Sequence, residues 1–266
     1  MWGLVFLTPR IFVMREDRHK TSSPFGITID ALTRDEFLER VRAWTCGVAS
    51  PRLITYLNAH CINLYFKNPA YARIIDGADC VYADGQAVVW AAKFLGEPLP
   101  GRINAGDFFP QFCAMCANEG FSLYLLGSHP GVAEKAAGNI KNVFPHLKVA
   151  GCRSGYFSPD EEPEVVKDIV EAHPSILLIG MGVPLQEIFA ASHLNEMGVP
   201  VVWCVGALFE YFAGVTRRAP VWMRHIGLEW IFRLVMEPRR LWRRYLPGNA
   251  SFLMKVIKHR FKRRHA

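Results

Sequence analysis

A carboxylate stands at the junction of two apolar segments, in the stretch CVYADGQAVVWAAKFLG from Cys80 to Gly96. Asp84 ends an apolar run that is typical of a buried strand, and a helical pattern begins directly after Gly85. An aspartate at such a junction has two chemical uses. It can cap the helix that follows, or it can take a proton from a reacting hydroxyl as a general base. The spacing alone leaves both uses open.

Two glycine-rich turns also follow apolar runs, GSHPG at residues 127–131 and GMG at residues 180–182. Backbone amides in turns of this kind can approach a phosphate group, although glycine is also common in any tight turn between a strand and a helix. The stretch GMGVPL lacks the third glycine of the GxGxxG fingerprint and carries Pro184 instead. The dinucleotide-binding pattern is therefore not met.

Metal ligands are not clustered in the sequence, which has no DxD motif. Cys113 and Cys116 form a CxxC, but no second cysteine or histidine pair follows, and residues three apart share one face of a helix. This spacing favours packing in the core. The seven cysteines are odd in number and mostly lie in apolar runs, which predicts reduced thiols and a cytoplasmic protein. We expect neither a metal nor a cofactor.

An alternating series of strands and helices must position these groups. The stretch GITID precedes a helix that a capping box opens, Thr33 to Glu36, and a second capping box runs from Ser158 to Glu161. Five further pairs of a strand and a helix follow in the same order: RLITYLN with AHCINLYFKN, DCVYAD with GQAVVWAAKFL, FSLYLLG with PGVAEKAAGNIKNV, SILLIGMG with PLQEIFAASHLNEMG, and PVVWCVG with ALFEYFAG.

This alternation predicts an α/β, Rossmann-like fold with a parallel sheet and helices on both faces. Ligands of such folds bind beyond the carboxyl ends of the strands, where the following helices begin. The residues expected at this edge are Asn58, Asp84, Gly127, Ser128, residues 180–186 and Gly206.

Positive charge is concentrated at the C-terminal end. Of the 31 lysines and arginines, 14 lie in residues 217–266 beside only two acidic residues, whereas the preceding residues hold 17 basic and 22 acidic side chains. We therefore divide the chain into a leader (1–25), a catalytic domain (26–215) and a basic helical, membrane-associating appendage (216–266). The leader lacks the basic start of a signal peptide, and no apolar run is long enough to cross a membrane.

Several stretches, taken together and in this order, resemble the WecG/TagA/CpsF family of glycosyltransferases, glycosyltransferase family 26. They cover roughly residues 24–246: LNAH, YADGQAVV, GRINAGD, YLLGSHPGVAEKAA, GYFSPDE, GMGVPLQEIF, VGALFEYFAGVTRRAP and GLEWIFRLVMEPRRLWRRY. The sequence departs from the family at Tyr56, where a threonine is usual and Thr55 lies beside it, and in RINAGD, where the glycine is shifted by one position.

The resemblance implies a role for individual residues. The proposed catalytic base of the family falls on Asp84. The substrate-binding residues that it implies, together with those expected at the sheet edge, are Thr55, Asn58, Arg102, Asn104, Gly127, Gly182, Gln186, Arg233, Arg240 and Arg243.

The resemblance also implies an activity. Members are inverting, metal-independent enzymes that move a sugar from a UDP-sugar donor to an undecaprenyl-diphosphate-linked saccharide acceptor, at the inner face of the cytoplasmic membrane. We expect the same here, in cell-surface or exopolysaccharide biosynthesis, with a hexosyl donor such as UDP-glucose favoured.

Two alternatives stay open at this stage. One is an NAD(P)-dependent oxidoreductase, which the fold class favours and the incomplete GxGxxG pattern disfavours. The other is a nucleic-acid-binding protein, because Trp222, Trp230, Trp242 and Phe252 lie in the basic appendage. These aromatic residues alternate with Leu, Ile and Met at helical spacing, which favours an anionic membrane surface over nucleic acid.

Overall fold

The computed structural model of the protein describes residues 20–47 and 50–264. Most of the expected leader, residues 1–19, lies outside the described residues. The strands are β1 Thr21–Ser22, β2 Ile29–Asp30, β3 Arg52–Leu57, β4 Cys80–Ala83, β5 Ser122–Gly127, β6 Lys148–Arg153, β7 Ile176–Gly180 and β8 Val201–Cys204.

The helices alternate with the strands as far as β8, and the last three form the appendage. They are α1 Arg34–Cys46, α2 Ala59–Tyr65, α3 Pro69–Gly77, α4 Gln86–Phe94, α5 Ala105–Glu119, α6 Val132–Val143, α7 Glu162–Ala172, α8 Leu185–Met197, α9 Leu208–Phe212, α10 Val221–His225, α11 Glu229–Met236 and α12 Pro238–Arg264.

Six strands form one parallel sheet in the order β4-β3-β8-β7-β5-β6. The predicted Rossmann-like α/β fold is therefore confirmed. Two details differ from the sequence analysis. The GITID segment contributes β2, which pairs antiparallel with β1 in a separate ribbon. Strand β6 escaped prediction because it is a half-exposed edge strand that begins with Lys148 and ends with Arg153, so it lacks the apolar run of a central strand.

Large apolar side chains fill the layer between the sheet and the helices. Trp203 of β8 is fully buried and stacks on Phe108 of α5, while Phe37 of α1 and Phe112 of α5 pack around it. Its indole Nε1 donates to the hydroxyl of Tyr82 at 3.0 Å, so the one polar atom of the indole is satisfied. Helix α8 packs on β3, β7 and β8.

Both predicted capping boxes are present. At α1, the Thr33 hydroxyl accepts from the backbone N–H of Glu36, whose carboxylate accepts from the backbone N–H of Thr33. The second box, Ser158 to Glu161, starts a short 3₁₀ turn that leads into α7. Each box satisfies amides that the first turn of a helix leaves unpaired.

Buried Asp30 attaches the N-terminal ribbon to helix α1 by an ion pair and to the main sheet by a hydrogen bond. Asp30 accepts from the Arg40 guanidinium at 2.7 Å and from the backbone N–H of Val81, in β4, at 2.9 Å. Phe25, at the end of the expected leader, is buried and contacts Phe252 of α12 with 5.8 Å between ring centroids.

The appendage lies on the body. Helix α11 ends at Met236 and α12 begins at Pro238. Helix α12 packs across α2, where Asn63 Nδ2 donates to the carbonyl oxygen of Gly248 at 2.7 Å. The cysteines of the CxxC are both buried in α5, which confirms the packing interpretation. No helix in the described part of the chain combines the length and the apolarity needed to span a membrane.

Candidate functional site

Asp84 lies at the carboxyl end of β4 and does not cap the helix that follows. Its backbone N–H donates to the carbonyl oxygen of Leu57 at 3.0 Å, which extends the pairing of β3 and β4 by one residue. The N-cap of α4 is Gly85, and no side chain of the described residues caps that helix. Instead, Asp84 Oδ1 accepts from Asn104 Nδ2 at 2.8 Å. Of the two uses that the sequence left open, capping is therefore wrong.

Residues 102–104 reach this carboxylate because the chain pairs with the end of β4. The backbone N–H of Ile103 donates to the carbonyl oxygen of Ala83 at 2.8 Å. The amide of Asn104 is oriented from its other side, since Arg218 Nη2 donates to its Oδ1 at 3.0 Å. With the oxygen occupied, the amide nitrogen is the atom that faces the aspartate.

An ionic network borders the aspartate. Asp107 pairs with three arginines: with Arg102 at 2.6 Å, with Arg218 at 2.9 Å and with Arg224. Glu229, from α11, pairs with Arg102 at 3.3 Å. The side chains of this network are 13% to 20% exposed, so their charges are only partly screened by water.

The environment of Asp84 makes it a stronger base than an ordinary aspartate. Burial raises its pKa to about 7, and the Glu229 carboxylate adds to this rise. The Arg102 guanidinium and the hydrogen bond from Asn104 act in the opposite direction without cancelling it. A carboxylate with a pKa near neutral pH holds an accepted proton far better than a carboxylate of pKa 4 does.

A cavity of about 1020 Å³ opens above this edge of the sheet. Its walls come from the ends of the strands on one side and from the appendage on the other. Residues from the strand ends include Tyr56, Asn58, Asp84, Ser128, Gly182 and Gly206, and those from the appendage include Glu229, Trp230, Arg233, Arg240, Arg244 and Tyr245. The volume is at the upper end of the range for sites that enclose a small ligand.

Three of the four predicted arginines line the cavity. Arg102, Arg233 and Arg240 line the cavity, but Arg243 does not. Arg243 is exposed and lies over the ring of Trp242, with 5.3 Å between its guanidinium carbon and the ring centroid. Arg244 takes its place, because a residue four positions after Arg240 returns to the same face of α12.

Arg244 also affects a histidine in the cavity wall. Burial and the nearby Arg244 guanidinium lower the pKa of His60 to about 4. His60 is therefore neutral at pH 7, and the arginines supply the positive charge on this side of the cavity.

Three other predicted residues lie at or near the strand ends with their polar groups already engaged. Thr55 and Gln186 are fully buried behind the cavity wall, where both donate to Glu187 Oε1, at 3.1 and 2.7 Å. Gln186 Oε1 accepts from the backbone N–H of Gly206 at 3.0 Å, and Gly206 lines the cavity. Asn58 lines the cavity while its Oδ1 accepts from two amides at the start of α2.

The glycines allow the strand ends to approach one another closely. A Cβ added to Gly127, where φ is +150°, would lie 2.5 Å from the carbonyl group of Gly180. Gly127 therefore lies behind the cavity lining, and Ser128 lines the cavity instead. Gly182 lines the cavity with φ of +82°, and a Cβ added there would have no atom within 4 Å.

Sequence reasoning missed Asp107, Arg218, Glu229, Arg244 and Glu187. All five lie in segments that carry the family resemblance, in GRINAGD, VTRRAP, GLEW, LWRRY and PLQE. Their pairing depends on contacts between distant segments, which no spacing reveals. Within residues 20–47 and 50–264, no group of three or more His, Cys, Asp or Glu side chains is arranged to hold a metal ion.

Comparison with known proteins agrees with the resemblance. The family model described as the glycosyl transferase WecG/TagA/CpsF family matches residues 22–266. Similar proteins include the N-acetylglucosaminyldiphosphoundecaprenol N-acetyl-beta-D-mannosaminyltransferases of Staphylococcus aureus strains MW2 and NCTC 8325. Each is 29% identical over 250 residues, which cover 93% of this chain and 97% of the relative. The similarity extends over the sheet, the cavity and the appendage.

Proposed function

Since the chain belongs to the WecG/TagA/CpsF family of glycosyltransferases, we propose that it transfers a sugar from a UDP-sugar to an undecaprenyl-diphosphate-linked saccharide, with inversion at the sugar carbon. Two relatives are named for transfer of N-acetylmannosamine to N-acetylglucosaminyldiphosphoundecaprenol. The oxidoreductase and nucleic-acid-binding alternatives have no comparable support. The product would enter the assembly of a cell-envelope polysaccharide.

The observation that carries this proposal is the carboxyl group of Asp84, whose pKa is raised to about 7 in a cavity that arginines also line. Inversion in a single displacement requires an acceptor hydroxyl to attack the anomeric carbon while UDP departs. Asp84 takes the hydroxyl proton as the new C–O bond forms. Above pH 7 the aspartate is mostly ionised and ready to do so.

The departing UDP develops negative charge on its diphosphate, which arginines stabilise in place of a metal ion. We propose Arg233, Arg240 and Arg244 for this role, since all three line the cavity from the appendage. Gln186 and Thr55 act indirectly in this proposal. Gln186 holds the backbone of Gly206, which lines the same cavity. Thr55 donates to the Glu187 oxygen that also accepts from Gln186.

The appendage also supports a proposal about location, namely peripheral binding to the cytoplasmic face of the cytoplasmic membrane. Some apolar side chains of α12 pack on the body, and others face outward. Phe252 and Val256 are buried on the body, whereas Leu253, Ile257 and Phe261 are 58%, 53% and 58% exposed. The exposed basic residues Lys258 and Lys262 lie on the same helix. Exposed apolar and basic groups on one helix suit an anionic membrane surface.

An assay with radiolabelled donors tests the proposed reaction. We expect transfer from UDP-N-acetylmannosamine, UDP-glucose or UDP-galactose to a lipid-diphosphate-linked N-acetylglucosamine, in buffer containing EDTA. Asp84→Asn should lower turnover at least about a hundredfold while UDP binding, measured by calorimetry, persists. The exposed Asp35→Asn is the matched control. Near-normal turnover of Asp84→Asn, or a loss with EDTA that Mg²⁺ restores, would contradict the proposal.

Vesicle co-sedimentation tests the proposed location. Because each basic residue near an anionic leaflet contributes about 1 kcal/mol, Lys258→Glu with Lys262→Glu should weaken binding to phosphatidylglycerol vesicles at least about tenfold. The control carries Lys135→Glu and Lys141→Glu, two exposed lysines of α6. Equal sedimentation of the two variants would show that α12 does not contact the membrane.

A further inference from the structure

Asp84 forms no ion pair in the part of the chain that the structure describes, although Arg218 contacts its hydrogen-bond partner, Asn104. Arg102 and Asp84 lie at the same strand end, joined through the Ile103 backbone, and both line the cavity. An arginine in direct contact with a carboxylate lowers the pKa of that carboxylate by about 1 to 3. A direct pair with Arg102 would therefore weaken the proposed base.

Two carboxylates hold Arg102 in its observed position. Its Nη2 donates to Asp107 at 2.6 Å, and its Nη1 donates to Glu229 at 3.3 Å. Glu229 also lies 3.9 Å from the Arg218 guanidinium, which orients Asn104 toward Asp84. Asp107 belongs to the body, but Glu229 is the first residue of α11, in the appendage.

We infer that Glu229 is a positioning residue for the transfer reaction: together with Asp107 it holds Arg102 away from an ion pair with Asp84 while the appendage is docked on the body. This inference rests on the proposed function of Asp84. Glu229 contacts Arg102 and Arg218 and acts on the base through them.

The groups that face Asp84 come from every element packed around it. Tyr82 precedes it on β4, and Tyr56 faces it from β3. Arg102, Asn104 and Asp107 approach from the segment that starts α5, and Glu229 approaches from α11. Burial is the largest cause of the raised pKa of Asp84; among the charged groups around it, the Glu229 carboxylate raises this pKa most and Arg102 lowers it.

Docking of the appendage would thereby set the strength of the base. With α11 in place, one carboxylate is added near Asp84 and one guanidinium is held by it. With α11 displaced, both contributions disappear, Arg102 keeps only its pair with Asp107 and can approach Asp84, and the aspartate becomes a weaker base. Proton transfer is then efficient only when the appendage arginines are also in the cavity to receive the leaving diphosphate.

The pH dependence of kcat/KM tests this inference with the full chain. Glu229→Gln should move the midpoint of the acidic limb from about 7 down by roughly one pH unit and lower the plateau rate. Glu229→Asp, which keeps the charge, should restore most of the midpoint. Glu171→Gln, an exposed residue of α7, controls for net charge. An unmoved midpoint in Glu229→Gln would overturn the inference, because a purely structural role lowers activity without moving it.

Stability measurements separate this inference from the proposed reaction. Asp84→Asn, Glu229→Gln and the double variant are unfolded with urea between pH 5 and pH 8. If Glu229 sets the proton affinity of Asp84, the effect of Asp84→Asn on the pH slope should shrink when Glu229 is replaced. If the effects of the two substitutions are coupled but the protein turns over no UDP-sugar, the proposed function is wrong and the link between the two carboxyl groups is supported. Additive effects at every pH would overturn the link, whether or not the protein is active.

Discussion

Replacing Glu187 by glutamine should make the folded protein less sensitive to rising pH. Glu187 is fully buried, and burial raises its pKa from 4.5 to about 7, against the hydrogen bonds from Gln186 and Thr55. Its second oxygen, Oε2, has no hydrogen-bond partner among the residues that the structure describes. Between pH 4.5 and pH 7 the folded chain therefore holds a proton that the unfolded chain has released, so stability falls as the pH rises through this window.

The size of this effect follows from the two pKa values. The gap between them is equivalent to about 3 kcal/mol of unfolding free energy, of which about 2.5 kcal/mol falls between pH 5 and pH 8. Glutamine keeps the shape and the accepting oxygen and cannot ionise. Its amide nitrogen would take the place of the unpartnered oxygen, at a cost of about 1 to 3 kcal/mol at every pH. The absolute stability can thus move either way, while the pH dependence of the difference is fixed.

Urea unfolding, followed by tryptophan fluorescence at four pH values from 5 to 8, measures this difference. We expect Glu187→Gln to gain about 2.5 kcal/mol relative to the unsubstituted protein between the two ends of the range. Titration of Asp84 is common to both proteins and cancels. Glu171→Gln, at an exposed position, should show no such trend. A difference between Glu187→Gln and the unsubstituted protein that is the same at pH 5 and pH 8 would refute the reasoning.

Two further predictions compare neighbouring or matched residues. Arg244→Ala should weaken UDP binding at least about tenfold by calorimetry, because charge-assisted hydrogen bonds contribute about 1.5 to 3 kcal/mol each. Arg243→Ala should bind UDP normally, and equal losses in the two variants would contradict the cavity lining that we describe. Gly127→Ala should lower the melting temperature by several degrees, because its Cβ would meet Gly180 at 2.5 Å. Gly138→Ala, in α6 with open space around it, should be neutral or stabilising by about 0.5 to 1 kcal/mol, and a similar melting temperature for both variants would rule out the clash.

The parallel sheet could be predicted because its central strands are buried on both faces and read as continuous apolar runs. β7, with Ile176 to Gly180 all buried, is the clearest case. β6 is exposed at the edge and carries charges at both ends, so it lacks that signal. The strand order could not be predicted either. β8 pairs with β3 through residues about 150 positions apart and with β7 through residues about 25 positions apart.

The site could be predicted as far as the carboxyl ends of the strands. Asp84 was found because it interrupts an apolar pattern, and the resemblance supplied the arginines. The resemblance pointed to Arg243, but the phase of α12 turns Arg244 toward the cavity. The network joins Asp107 to Arg218, about 110 residues away, and Arg102 to Glu229, about 130 residues away, and long-range ion pairs leave no periodic pattern in a sequence.

The position of β8 has a consequence for synthesis of the chain. β8 is the last strand of the main sheet in sequence but lies between β3 and β7, so it joins the β4-β3 pair to the β7-β5-β6 group. While residues 201–204 are still inside the ribosome, the nascent chain holds two partial sheets. Their open edges, at β3 and β7, are exposed to pairing with other chains. The sheet closes only after most of the protein has left the ribosome. The basic helices follow immediately, so the segment that we propose for membrane contact emerges just as the body becomes complete.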